Sequence, residues 1–317
     1  MTSYNTAKHK QHYVWRYYLE PWSTNDQIFC LRSGKIYSAN IRDVAQKRDF
    51  YRIQDLNEYE INLLHAYVDR HPQPLQKIQK DLITLFTTPH TGQRLVQELK
   101  SAHGESVPES LNKLDDKIDV MINNLEEELH ADIEKDSQVF IEQIRAEENT
   151  FWTVPGDKSN FLQFVCTQML RTRKIQDGLV DAVNDKMPGN PSLNKIWGVL
   201  RHMLAMNVAY SLFNDPAYGL RLLLNDSSLP YVTTDQPVIN THASELGRGE
   251  PPKEFEIFYP ISPRKAVLIG VFADGVCYMS AEQVKVYNDC IVRQSQEQVF
   301  SNSRSVLESY LPGESVS

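Results

Sequence analysis

The stretch from residue 111 to residue 144 constrains the fold more than any other part of the sequence. Its apolar residues recur at intervals of three, four or seven, which is the repeat of an amphipathic helix with a narrow apolar stripe. Such a stripe covers about five heptads, enough for a helical hairpin or a dimer arm but too little for a long rod. The residues of the stripe are Leu111, Leu114, Ile118, Ile122, Leu125, Leu129, Ile133, Phe140 and Ile144.

The charge of this helix allows two interpretations. Between Asp115 and Glu148 there are twelve acidic and three basic residues, whereas the whole chain has 41 acidic and 33 basic residues. The favoured interpretation is a helix packed along the domain with a solvated acidic back. The alternative is a coiled-coil surface at 111–144 that binds a second copy or a basic partner. We predict one domain over residues 1–317, with residues 101–150 as a long acidic helical arm inserted within it.

Composition excludes several classes of protein. A net charge of −8 is not the footprint of a general nucleic-acid coat, although the chain outside the acidic helix is nearly neutral and leaves room for a local basic groove. No run of eighteen apolar residues predicts a membrane span, and the first residues lack the apolar core of a signal peptide. Scattered cysteines favour reduced thiols. We therefore expect a cytoplasmic protein that does not enter a membrane.

The remaining periodicities predict an α+β fold that is mainly helical. A Ser33–Gly34 turn between two β-prone segments predicts an N-terminal β-hairpin. Helical spacing covers most of residues 56–100 and 151–213, beside the long amphipathic helix. From Arg221 onward, alternating and β-branched segments predict a C-terminal, mostly antiparallel sheet, followed by a last helix near residues 281–299.

One decapeptide, residues 231–240, predicts where a site would lie. Two apolar residues run into Thr-Thr-Asp-Gln-Pro, and Pro237 cannot donate to a β-ladder. Asp235 and Gln236 are therefore expected at the end of a buried strand. Polar groups there are held rigidly, which suits a binding or catalytic site.

The chain resembles the bacterial family of unknown function called DUF4238. The resemblance runs in order along nearly the whole chain, although Trp15 stands where the family commonly has proline. It implies the extent of the domain and the choice of motifs, and no reaction. The motifs are Gln-His-Tyr-Val-Trp-Arg-Tyr-Tyr-Leu-Glu-Pro-Trp at 11–22, Phe-Tyr at 50–51, Gln-Met-Leu-Arg-Thr at 168–172, Thr-Thr-Asp-Gln-Pro-Val at 233–238, Pro-Ile-Ser-Pro at 260–263 and Tyr-Asn at 287–288.

Five polar residues from three of these motifs form the candidate site, namely His12, Gln168, Arg171, Asp235 and Gln236. His12 suits a general base, a metal ligand or a hydrogen-bonded core residue. Gln168 and Arg171 share one helix face, and Arg171 offers a fork for phosphate or, equally, a buried salt bridge to Asp235. Asp235 suits a divalent cation or an ordinary turn. If the five converge in space, a site explains them better than chance.

Other metal and cofactor signals are weaker. His65 with Asp69, and His130 with Glu134, have the i, i+4 spacing of metal ligands. Without a third ligand, each pair is interpreted as a surface helix pair. The chain has 13 glycines and no phosphate-cradling glycine loop or dinucleotide fingerprint, which argues against common ATP or NAD chemistry.

The sequence supports two hypotheses for function. The favoured one is a nuclease-like hydrolase acting on a phosphate-containing substrate, either nucleic acid or a nucleotide. In it Arg171 would neutralise phosphate, Asp235 would hold a divalent metal or orient the nucleophile, and His12 would move the proton. Analogy with other bacterial families suggests a role in defence against phage. The alternative is a non-catalytic binding or assembly module that uses the acidic helix at 111–144.

Overall fold

The computed structural model describes residues 6–186, 192–245 and 254–311. The chain divides into two compact units. The helical unit comprises Met1–Gln11, Lys47–Lys135 and Val183–Asn207, and the mixed unit comprises His12–Gln46, Asp136–Ala182 and Val208–Ser317. The fold is 55% helical and 19% strand, which confirms the predicted α+β class.

The helices and strands are numbered in chain order. The α-helices are α1 Arg16–Leu19, α2 Glu58–Val68, α3 Gln73–His103, α4 Glu109–Arg145, α5 Pro155–Leu170, α6 Arg173–Lys186, α7 Ser192–Asn214, α8 Ala281–Arg293 and α9 Arg304–Glu308. The strands are β1 Lys10–His12, β2 Gln27–Arg32, β3 Lys35–Asn40, β4 Gln46–Arg48, β5 Tyr218–Asn225, β6 Thr233–Thr234, β7 Ile239–Asn240, β8 Ile257–Ser262, β9 Lys265–Val271, β10 Gly275–Met279 and β11 Gln298–Ser301.

The start of α2 shows how local sequence determines where a helix of the helical unit begins. Asn57 Oδ1 accepts from Glu60 N at 2.9 Å, and Asn57 N donates to Glu60 Oε2 at 2.8 Å. This reciprocal capping box satisfies two backbone donors at the helix start. Apolar residues three and four apart then face a core shared by α2, α3, α4 and α7. That core includes Leu64, Val68, Leu82, Ile83, Phe86, Ile122, Ile196, Val199 and Met203.

Helix α4 carries the predicted apolar stripe into this core. Ile122 is fully buried, and Ile118, Leu125 and Leu129 pack against the same cluster. The favoured interpretation, a helix packed along the domain, therefore describes this part of α4. The stripe is not wholly covered, since Leu114 is 44% exposed. The unexpected feature of α4 is a set of buried polar side chains, Asn123, Asn124, Glu126, His130 and Glu134.

Two of the three sheets formed by the described residues lie in the mixed unit. The first has the order β10-β5-β9-β8-β7, in which β10 is parallel to β5 and the other pairs are antiparallel. The prediction of a mostly antiparallel C-terminal sheet is thus confirmed, with one parallel edge. The second sheet has the order β3-β2-β11-β6 and is antiparallel. The predicted hairpin forms β2 and β3, where Ser33 and Gly34 both adopt positive φ angles of 51° and 71°.

The structure also bears on the predicted absence of a membrane span. Within the described ranges, no helix combines the length and the apolar character that crossing a bilayer requires.

Candidate functional site

The predicted strand-end motif lies in the mixed unit, where β6 pairs with β11. Asp235 follows β6, and its backbone N donates to Gln298 O at 3.1 Å. Its side chain binds the same segment. Oδ1 accepts from Gln296 N at 2.8 Å, and Oδ2 accepts from Glu297 N at 2.8 Å and Gln298 N at 3.1 Å. We call this arrangement of Asp235 and the three backbone N–H groups the carboxylate clasp.

The electrostatics of the clasp are those of a buried, hydrogen-bonded acid. Asp235 is 2% exposed. Burial raises the pKa of Asp235, and the three backbone N–H groups lower it without reversing the shift. The three backbone donors occupy three of the about four lone-pair sites of the carboxylate. The geometry therefore favours a structural role for Asp235 over the predicted metal ligand.

Arg171 takes partners other than Asp235. Its Nη1 donates to Gln168 Oε1 at 3.4 Å, and its Nη2 donates to His12 O at 2.5 Å. Both oxygens of Asp235 accept from the backbone groups of the clasp. The salt bridge between Arg171 and Asp235, an equal alternative to a phosphate site, stays a prediction. The structure does bring Gln168 and Arg171 together with the backbone of His12, at the C-terminal end of α5.

Gln236 completes the contacts of the predicted set. Its Nε2 donates to Met169 O at 3.1 Å and to Val238 O at 2.7 Å, and its Oε1 accepts from the Thr172 hydroxyl. These bonds attach the strand end to the end of α5. The hydrogen bonds of Gln236 and Asp235 thus go largely to backbone groups, which is the pattern of a structural junction.

The side chain of His12 offers a test of this junction by pH. Its Nε2 lies 3.0 Å from Arg42 O. Burial lowers the pKa of His12, and the positive charges of Arg171 and Arg16 lower it further, against the opposing effects of the Arg42 carbonyl and Asp43. Protons then bind the unfolded state more readily. The contribution of His12 to stability is complete above its unfolded pKa of about 6.5 and is lost as the pH falls below it.

We therefore expect the wild type to lose more stability than His12→Gln between neutral pH and about pH 5. The glutamine amide retains a donor for the Arg42 carbonyl and removes the titration. Urea unfolding at several pH values, followed by tryptophan fluorescence, measures this difference. His103→Gln, at the exposed end of α3, is the control and should follow the wild type. Parallel curves for all three proteins would exclude His12 as a source of acid sensitivity.

A second cluster, which we call the Glu-His-Arg cluster, lies in the helical unit. Glu126 and His130 are one turn apart on α4, and Arg201 and His202 are adjacent on α7. Glu126 Oε1 lies 2.9 Å from His202 Nε2 and 3.7 Å from His130 Nε2. The same oxygen accepts from Arg201 Nε at 2.5 Å and from Arg201 Nη2. All four side chains are at most 3% exposed.

Glycine brings α7 close to this carboxylate. Gly198 lies one turn before Arg201 and His202, and a Cβ atom there would stand 3.2 Å from Glu126 Oε2. Any other residue would press on the carboxylate. The absence of a side chain at Gly198 therefore leaves room for the Glu126 carboxylate beside α7.

Aromatic rings enclose the cluster. The Tyr51 ring lies 4.7 Å from the His130 ring and 4.8 Å from the Arg201 guanidinium carbon. Tyr51 is held in turn by Gln11, whose Oε1 accepts from Tyr51 N at 2.5 Å while its Nε2 donates to Asn123 O at 2.8 Å. Two motifs that carry the family resemblance, at 11–22 and 50–51, thus contribute residues to the surroundings of this cluster.

The cluster keeps Glu126 ionised. Burial by itself raises the pKa of Glu126, but Arg201 and the two neighbouring histidines outweigh it and hold the pKa far below its ordinary range. A buried carboxylate beside two imidazoles is also a set of metal ligands. The ligating atoms of Glu126, His130 and His202 all lie within 4.8 Å of one another.

Sequence analysis identified one member of this set. The interpretation of His130 and Glu134 as a surface pair is wrong, because the two residues are only 1% and 8% exposed and His130 Nε2 lies 3.7 Å from Glu126 Oε1, one turn earlier. The third ligand, His202, comes from a different helix. A signal was present in the Arg-His pair at 201–202, inside the otherwise apolar stretch at 196–206 of α7.

The other predicted pair, His65 and Asp69, fits its interpretation as a surface pair. Asp69 forms an ion pair with Lys80 at 2.8 Å, and its side chain is 60% exposed. It is not part of a metal-ligand group among the described residues.

The fold and the cluster together define an α+β protein with a buried, charged Glu-His-Arg centre in its helical unit. The model of a family described as Protein of unknown function (DUF4238) matches residues 10–305. The chain therefore belongs to this family, and the resemblance seen in the sequence is confirmed. The match spans both the carboxylate clasp and the Glu-His-Arg cluster. No curated protein and no solved structure matches the chain.

Proposed function

We propose that this protein is a metal-dependent hydrolase acting on a phosphate-containing substrate, with Glu126, His130 and His202 as its metal ligands. The observation that carries the proposal is that one carboxylate and two imidazoles offer ligating atoms within 4.8 Å of one another. Imidazole and carboxylate suit Zn²⁺ and other first-row divalent metals. Three protein ligands leave a position for water, which a divalent metal activates as a nucleophile near neutral pH.

The contacts of Asp235 and Gln236 favour the Glu-His-Arg cluster over these two residues as the reacting site. Asp235 and Gln236 bond mainly to backbone groups of the chain, so their lone pairs and donors are engaged in holding the mixed unit together. In the proposal, His12, Gln168 and Arg171 belong to the same junction. The reacting groups lie instead in the helical unit, and nucleic acid or a nucleotide is the expected substrate. A role in phage defence is proposed only as a consequence of such activity.

An assembly module is the second candidate, and one surface favours it. A groove of about 380 Å³ in the helical unit is lined by Leu85, Pro89, Met121 and Leu125, with Asp81, Thr84 and Thr88. Leu85 is 43% exposed and Met121 is 47% exposed. An exposed apolar groove along α3 and α4 suits the partner surface predicted at 111–144. Metal uptake separates the two candidates, since assembly through this groove requires no ion.

Metal titration tests the proposed function. After treatment with a chelator, the full chain is expected to bind one Zn²⁺ or Mn²⁺, measured by isothermal titration calorimetry and elemental analysis. His130→Ala and His202→Ala should each weaken binding by at least about 100-fold, because each removes a direct ligand. The loaded wild type should hydrolyse bis-p-nitrophenyl phosphate, and both variants should lose this activity.

A matched control is available in the same unit. His90, on α3, has its Nε2 3.1 Å from Ile53 O and lies outside the cluster. His90→Ala should bind metal as the wild type does. Equal metal affinity in the wild type and both ligand variants, or no uptake by the wild type, would refute the metal centre.

A further inference from the structure

Arg201 occupies the oxygen that a metal ion would need. Glu126 Oε1 is the atom that approaches both imidazoles, at 2.9 Å from His202 and 3.7 Å from His130. Arg201 donates to that same oxygen through Nε, at 2.5 Å, and through Nη2. A carboxylate oxygen has two lone pairs. While Arg201 Nε and Nη2 both donate to Oε1, that oxygen has no further lone pair for a cation. A metal held by the two imidazoles through Oε1 would therefore compete with Arg201 for that oxygen.

The charge balance of the cluster changes when a metal displaces Arg201 from this oxygen. With neutral histidines, the single negative charge of Glu126 balances the single positive charge of Arg201. A divalent ion adds two positive charges among side chains that are at most 3% exposed. Buried charges require a partner of opposite sign, because an uncompensated buried charge is strongly unfavourable. The loaded site would thus attract an anion, and Arg201 would be its nearest donor.

Arg201 keeps other contacts that hold it beside the metal ligands. Its guanidinium carbon lies 4.8 Å from the centre of the Tyr51 ring and 5.5 Å from that of Phe50. Cation–π contacts of this kind fix a guanidinium without using its N–H groups. Those N–H groups form a planar fork that matches phosphate oxygens.

We infer that Arg201 is the phosphate-binding residue of this site, and that metal loading creates the phosphate site by displacing Arg201 from Glu126. The inference rests on the proposed function and adds the group that recognises the substrate. One phosphate oxygen would bind the metal while others accept from Arg201. Metal and phosphate then bind with positive coupling, which by linkage acts equally in both directions.

Calorimetry with phenylphosphonate, a phosphate mimic that is not hydrolysed, tests the coupling. We expect the Zn²⁺-loaded wild type to bind phenylphosphonate at least about tenfold more tightly than the metal-free protein. Arg201→Met should abolish that gain while keeping or raising the affinity for Zn²⁺, because the competing cation is gone. Benzoate serves as the carboxylate probe. Tighter binding of benzoate than of phenylphosphonate by the loaded protein would overturn the assignment to phosphate.

Two further variants distinguish a loss of phosphate binding from a loss of folding. Arg201→Lys keeps the positive charge and loses the fork, so it should fold, bind Zn²⁺ and bind phenylphosphonate more weakly than the wild type. Arg173→Met is the matched control, since Arg173 pairs with Asp177 and Glu297 in the mixed unit. It should behave as the wild type in both titrations. Thermal melts followed by circular dichroism establish that each variant is folded.

The outcomes distinguish the two proposals. If the wild type takes up no metal, both the proposed hydrolase function and the proposed role of Arg201 are refuted. If it binds Zn²⁺ but phenylphosphonate binds equally well with and without Zn²⁺, or equally well to Arg201→Met, the metal centre stands and the role of Arg201 falls. A loss of Zn²⁺ affinity in the folded Arg201→Met variant would also overturn it, because competition requires the opposite.

Discussion

Replacing Glu126 by alanine is expected to lower the free energy of unfolding of the metal-free protein by about 3–5 kcal/mol. The change leaves the Arg201 guanidinium buried, 3% exposed, without the carboxylate that accepts from its Nε and Nη2. His202 Nε2 loses the same acceptor at 2.9 Å. Urea unfolding followed by circular dichroism at 222 nm measures the loss, since the fold is 55% helical.

Two comparisons show whether this loss arises from the buried charge. Glu126→Gln keeps an oxygen acceptor and removes the charge, so it should fall between alanine and the wild type. Glu128, on the same helix, has a side chain that is 35% exposed and lies 3.6 Å from Lys8. Glu128→Ala should cost less than about 1 kcal/mol. If Glu126→Ala costs no more than Glu128→Ala, the cluster does not stabilise the helical unit in the way described.

Replacing Asp235 by alanine is expected to destabilise the mixed unit by about 3 kcal/mol, because three backbone N–H groups lose their acceptors and each buried unsatisfied group costs about 1–3 kcal/mol. The raised pKa of Asp235 indicates that burial of the charge offsets part of the gain from the clasp. We therefore expect a loss of unfolding free energy near the lower end of the range that three lost hydrogen bonds would give. Denaturant unfolding of the full chain checks the value.

This experiment also decides between the clasp and the catalytic role predicted for Asp235. Asp235→Asn keeps one acceptor oxygen and should recover part of the stability. Asp177→Ala is the control, because Asp177 is 47% exposed and pairs with Arg173 at 3.3 Å, so its loss should cost less than about 1 kcal/mol. An Asp235→Ala protein that is as stable as the wild type but inactive would restore the catalytic interpretation.

Local periodicity predicted much of the fold. The stripe of α4 and the alternating C-terminal segments report burial along a single element, so their helical or extended state can be inferred without knowing what covers them. The Ser33–Gly34 hairpin was predictable for the same reason, because the turn depends on its own two residues. What covers each face was not predictable, since it depends on contacts between distant segments.

The candidate site likewise combines features that the sequence predicts with contacts that it does not. Sequence reasoning placed Gln168, Arg171 and Gln236 in one candidate site, and for Asp235 it left open a divalent cation, a turn or a salt bridge to Arg171. The actual partners are backbone N–H groups of residues 296–298, which every amino acid except proline supplies and which leave no distinctive pattern in the sequence. The metal-ligand group around His130 was not predictable for a related reason. Its member His202 lies on another helix, and only the packing of α4 against α7 brings the two histidines together.

The order of strands in the second sheet has a consequence for how the chain matures during synthesis. In the order β3-β2-β11-β6, the interior strand β11 is the last of the four to be made. Until residues 298–301 exist, β2 and β6 each have an open edge where β11 will pair, and open edges are sites of mispairing between chains. Every residue of the helical unit, by contrast, precedes residue 208. The nascent chain can therefore complete its helical unit while its mixed unit still depends on protection from aggregation.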